Sequence, residues 1–194
     1  MEATMLRALL LIAAIAGAAQ AEVSVTALGR VGAFGLYNVD DQAPGVAPVF
    51  TEAAPNFGLD VSVDWPLTTL VSLGVEGSAL AAAPDGAGER HTILGLHLLA
   101  RITPPLTQRL SLELVVAGGP TLWPGAGIHA QLDPRLDQAR MGFSVRGAAG
   151  LVWSLTCSAA LVAQLGYAAS TSLGQDLAVT HDNATLSFGP RLRW

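Results

Sequence analysis

The sequence contains no lysine and one cysteine, and only 13% of its 194 residues are charged. The lone Cys157 excludes an intramolecular disulfide framework. Ten arginines against fifteen acidic residues leave a net charge of −5, which is no footprint for nucleic acid. Using arginine alone suits buried ion pairs, although a biased genome composition accounts for it equally well. Long apolar runs are also scarce. The one at 8–19 follows Arg7, ends in a small-residue cleavage pattern at Ala19-Gln20-Ala21, and is too short to cross a bilayer as a helix. The expectation is a signal peptide over 1–21, with Met5 as an alternative start, and one exported domain over 22–194. A second uncharged run, 147–170, has the length of a membrane helix. Three glycines and a Ser-Leu-Thr-Cys-Ser turn within it, with alternation on either side, argue for two strands instead.

What the chain does have is two-residue periodicity, the mark of strands with two unlike faces. In FGLDVSVDW (57–65), Phe57, Leu59, Val61, Val63 and Trp65 oppose Gly58, Asp60, Ser62 and Asp64. The pattern recurs at 71–79, 94–101, 110–117, 143–154 and 161–167, and in the final LSFGPRLRW (186–194). A weaker version at 23–37 sets Val23, Val25, Val31 and Tyr37 against Thr26 and Arg30, with Leu28 and Phe34 breaking the polar face. That makes eight strands. Three connections are short (66–69, 103–108 and 155–158) and share Pro-Leu-Thr or Ser-Leu-Thr. Four are long and rich in Pro, Gly and Asp: 38–56, 81–91, 119–140 and 168–183.

Eight such strands build either a soluble barrel around an apolar ligand or a membrane barrel with its apolar faces turned outward. The polar faces are mostly Gly, Ser, Thr and Ala with scattered ionic residues, as a narrow packed interior requires. With the short turns in the periplasm, Trp65, Trp153 and Trp194 fall at one membrane interface. Tyr37, Phe57, Phe143 and Tyr167 fall near the other, giving the two expected aromatic girdles. Ordering to the last residue is needed because a sheet in lipid must close on itself. The expected fold is all-β, an eight-stranded antiparallel up-and-down transmembrane β-barrel. On the leader, the eight alternating segments and the terminal L-S-F-G-P-R-L-R-W, the chain resembles the small outer-membrane barrels of the OmpA/OmpX type. The resemblance implies residence in the outer membrane among lipid and lipopolysaccharide. It also implies recognition of the last strand by the barrel-assembly machinery, where Trp194 departs from the usual terminal phenylalanine.

The inferred lumen carries Arg30, Asp60, Asp64, Glu76, His97, Arg101, Glu113, Arg146, Gln164, Arg191 and Arg193. Buried charges need partners. The expectation is an ion-pair plug, with Asp60 or Asp64 on Arg30, and Glu113 on Arg101 or Arg146. A narrow gated pore is the alternative. Lipid-modifying enzymes exist on this scaffold, but His91, His129 and His181 lack nucleophile spacing and read as solvated loop residues, and His97 as a hydrogen-bonded core histidine. No cofactor is expected, and the loop acids lack the oxygen spacing of a calcium site. Trp123, in the third long connection, reads either as part of an exposed contact patch or as packed on the rim. The expected role is a non-enzymatic, monomeric barrel that serves envelope structure or an extracellular partner through its long loops.

Overall fold

The computed structural model describes residues 23–41, 47–83, 90–124, 139–173 and 177–194. They form β1 (Ser24–Asp41), β2 (Val49–Ala53), β3 (Asn56–Pro66), β4 (Val71–Ala82), β5 (His91–Ile102), β6 (Leu110–Trp123), β7 (Arg140–Ser154), β8 (Ala159–Leu173) and β9 (Leu177–Arg193). Each strand from β3 onward pairs antiparallel with the next, and β9 returns to β1, closing the cylinder. β2 and β3 pair with β1 in one continuous register, from Val39↔Val49 down to Ser24↔Asp64. They are one wall strand interrupted at Ala54-Pro55, where proline has no N–H to donate. The barrel is therefore eight-stranded, as the periodicity indicates, and 147–170 is the β7–β8 hairpin.

The three short turns repeat one geometry. Leu67, Leu106 and Leu155 donate their N–H to the carbonyls of Val71, Leu110 and Ala159 at 2.8, 2.8 and 2.9 Å. In each turn the next residue is threonine. Its hydroxyl accepts backbone N–H groups ahead of it, from Leu70 and Val71 for Thr68, from Arg109 and Leu110 for Thr107, and from Ser158 for Thr156. The shared Leu-Thr is thus the hydrogen-bonding core of a side-chain-capped turn. Cys157 lies exposed in the third.

The strands run further than the alternation suggested, to Asp41 in β1, Trp123 in β6 and Leu173 in β8, and β9 begins at Leu177. Much of what read as long loop is wall. β9 has 17 residues. At about 3.3 Å per residue and a tilt near 40° it rises roughly 40 Å, more than the ~30 Å hydrocarbon layer, so the upper wall projects beyond it. Parts of the four long connections, and residues 1–22 with the expected signal peptide, lie outside the described residues.

The wall is inside out relative to a soluble barrel. Leu98, Val116 and Leu165 are 75%, 66% and 69% exposed, while Asp60, Glu76, Arg101 and Glu113 are each 2% or less. Between the two aromatic levels no outward residue of the strands is charged. Such a surface is stable against hydrocarbon and unstable in water. Among the described residues no helix is long and apolar enough to cross a membrane. The strands do the crossing.

One aromatic assignment is corrected. Phe34 takes a positive φ of 55°, and the β1–β9 register shifts between Ala33 and Leu36. This β-bulge exchanges the two faces of β1 above it. Phe34 is thrown outward at 94% exposure, and Tyr37 turns inward to full burial. Tyr37 is therefore an interior residue rather than a membrane-interface aromatic. Phe57, Phe143, Trp153, Tyr167 and Trp194 are on the outer surface and exposed, and Trp65 is half-buried on the same face.

Candidate functional site: the barrel interior

Even-numbered residues of lower β1 and β3 point inward, as do odd-numbered residues of β5, β6 and β9. This parity brings four arginines and four carboxylates together in two belts across the bore. In the lower belt Arg101 of β5 pairs with Asp64 and, through Nε, with Glu113 Oε2 at 3.1 Å. Arg191 of β9 reaches the same Glu113 oxygen at 2.6 Å and donates through Nε to Thr26 Oγ1 at 2.8 Å. Ser24 donates to Asp64 at 2.8 Å, and Arg101 to Ser62 at 3.4 Å.

In the upper belt Arg30 meets Asp60 at 3.5 Å, and Arg146 lies between Asp60, at 3.6 Å, and Glu76. Gln164 of β8 joins the belts. Its amide nitrogen donates to Glu113 at 2.5 Å, and its carbonyl accepts from Arg146 at 3.5 Å. Every barrel strand contributes at least one side chain to this lattice. Each charge in it has a partner of opposite sign, the condition under which burial of charge is tolerated.

The pairings refine those expected from sequence. Asp60 takes Arg30 and Glu113 takes Arg101, whereas Arg146 serves Glu76 and Asp60 rather than Glu113. Arg193 is corrected. It stands half-buried at the short-turn mouth and makes no ion pair among the described residues. Ser24, Thr26, Ser62 and Ser144 join the lattice, and Gln164 finds its partners in it, without having been singled out by any sequence motif. Their inward parity was the available signal.

His97 donates or accepts at both ring nitrogens, with Nδ1 3.3 Å from Glu76 and Nε2 2.6 Å from Ser144 Oγ. A serine, a histidine and an acid in that order have the connectivity of a nucleophile–base–acid relay. Glu76 is engaged by Arg146, Ser144 is buried, and the adjoining cavity of about 20 Å³ has room for water only. Among the described residues no three potential metal-ligating side chains cluster.

Above the belts the interior is mixed, with Asn56, Thr121, Ser172 and Asn183 buried beside an apolar cluster. Tyr37, Leu80, Ala82, Ile93, Trp123 and Val179 form a buried collar. Trp123 is only 4% exposed and donates to Thr121 at 3.1 Å, so it belongs to the interior and not to a surface patch. His181 is likewise buried, 3.5 Å from Asn56 and edge-on to the Tyr37 ring, rather than solvated in a loop. The burial of Trp123, which decides between the two alternatives, and the correction of His181 both follow from strands that continue past the apolar band. Leu28, which broke the polar face in sequence, packs inside against Val152, Ala160 and Val162. His129 and the acids Asp85, Asp133 and Asp137 lie outside the described residues.

A closed eight-stranded antiparallel cylinder with an apolar exterior and an ion-paired bore is an integral outer-membrane β-barrel. Comparison with solved structures agrees on the fold. The crystal structure of Neisserial surface protein A superposes with a TM-score of 0.56 at 13% identity, covering 89% of this chain and 97% of that one. Outer membrane protein AlkL, determined by solid-state NMR in DMPC bilayers, gives 0.51 at 13% identity, with 90% of each chain covered. No protein-family model matches the sequence, and no curated protein does.

Proposed function

We propose that this is a non-enzymatic outer-membrane barrel whose filled interior serves stability. On this reading its biological work is done at the long-connection rim, as envelope structure or as contact with an extracellular partner. The observation that carries the reading is the side-chain lattice spanning the bore, capped by the apolar collar. A plug in which every charge is paired resists both solute passage and substrate entry. The partners on this reading are lipid and lipopolysaccharide around the wall, and the barrel-assembly machinery acting on β9. The chain acts as a monomer.

Single-channel recording in planar bilayers tests it, with no conductance steps expected from the purified barrel. Replacing 125–138 with a short Gly-Ser linker is expected to abolish surface contact while leaving the barrel heat-modifiable on a detergent gel. Contact that survives replacement of every long connection overturns the rim assignment. A second reading, a narrow gated pore, draws on the small polar cavity above the belts and the open vestibule below them. Discrete steps that disappear in Arg146→Ala would establish it instead.

A further inference from the structure

Among the described residues the four arginines and four carboxylates of the lattice balance, so Arg193 is a surplus cation there. It lines a vestibule of about 380 Å³ at the short-turn mouth together with Arg101, Arg191, Asp64, Ser72 and Ser111. Arg101 is committed to Asp64 and Glu113, and Arg191 to Glu113 and Thr26. Asp64 is occupied by Arg101 and Ser24, leaving no carboxylate of the vestibule to neutralise Arg193. Three guanidinium groups thus stand against two carboxylates, Asp64 and Glu113, which leaves one net positive charge, on Arg193, in a concave mouth whose low-dielectric walls focus its field outward. Hydroxyl donors surround them. The volume falls within the range of small-molecule sites, and a guanidinium fork matches the oxygens of a tetrahedral oxyanion.

We propose that this vestibule is a binding site for a phosphate group, presented from the periplasmic side as inorganic phosphate or a small phosphomonoester. Arg193 supplies the charge that holds it, and the mouth serines supply further hydrogen bonds. The lattice behind it stays intact, because Arg101 and Arg191 keep their carboxylates.

The test is an amide chemical-shift titration of the full barrel in maltoside micelles, which carry no phosphate, at constant ionic strength. Titrants are inorganic phosphate, glycerol 3-phosphate and chloride. Saturable shifts at Ser72, Thr103 and Ser111 are expected with either phosphate. Binding is expected to weaken at least tenfold in Arg193→Gln, to weaken less in Arg193→Lys, and to be unchanged in Arg109→Gln, which lies on a turn outside the vestibule. Tighter binding of glycerol 3-phosphate than of inorganic phosphate would identify the ester as the source, and the reverse the free ion. Shifts that chloride reproduces, that do not saturate, or that persist in a folded Arg193→Gln barrel overturn the proposal. Heat-modifiable migration verifies folding of each variant.

Discussion

A Cβ added at Gly189 would sit 1.9 Å from the carbonyl oxygen of Ala27 on the neighbouring strand, whereas at Gly147 it would meet nothing within 4 Å. The difference is one of curvature. Gly189 faces the bore, where a tightly coiled wall brings backbones together at the β1–β9 closure. Gly147 faces lipid, where there is room. Gly189→Ala is therefore expected to destabilise the barrel by about 1–3 kcal/mol, the range for overpacking. Gly147→Ala is expected to stabilise it by roughly 0.5 kcal/mol, by reducing the freedom of the unfolded chain. Urea midpoints read from tryptophan fluorescence in lipid vesicles check both, and equal effects at the two sites would refute the curvature argument. Composition alone shows only that glycine is abundant in this chain; which glycines are obligatory is a property of the closed wall.

At the scale of the element, β1 is the strand that sequence describes least well, and the bulge explains why. A strict two-residue pattern cannot represent a strand that exchanges its faces midway. Phe34 was legible as a defect, since it broke the polar face, but not as the reversal that carries Tyr37 inside. The left-handed backbone at Phe34 costs about 1–2 kcal/mol, and local contacts offset it. Asp182 of β9 accepts the N–H of Leu36 at 2.8 Å, satisfying a donor next to the register shift. Asp182→Ala is expected to weaken the β1–β9 seam by about 1 kcal/mol, the scale of a single hydrogen bond. The Leu36 amide should then exchange faster with deuterium, while the Leu-Thr turns at the opposite end remain protected. Unchanged exchange at Leu36 would show that the bulge holds itself.

For the whole molecule, the lattice ties all eight barrel strands through side chains as well as through the backbone ladder. Glu113 is its most connected acid, holding Arg101, Arg191 and Gln164. Glu113→Ala leaves two buried guanidinium groups facing each other and is expected to cost about 3–5 kcal/mol. It should lower the urea midpoint and the temperature at which the compact gel species disappears. A loss below about 1 kcal/mol would mean that water or rearranged pairs replace the carboxylate readily, and would weaken the case for a stabilising plug.

Local chemistry was enough to specify the strand count, the antiparallel order, the outward apolar face and the list of charges that turn inward. Alternation is a property of neighbouring residues, and lipid imposes it directly on the sequence. Closure decided the rest. Which arginine meets which carboxylate depends on strands far apart in the chain crossing the same level of the bore, as Arg191 and Glu113 do. The inward turn of Tyr37 needed the bulge, the collar needed strands that outrun the membrane, and Arg193 is left without an ion pair among the described residues only once the other charges have found one another.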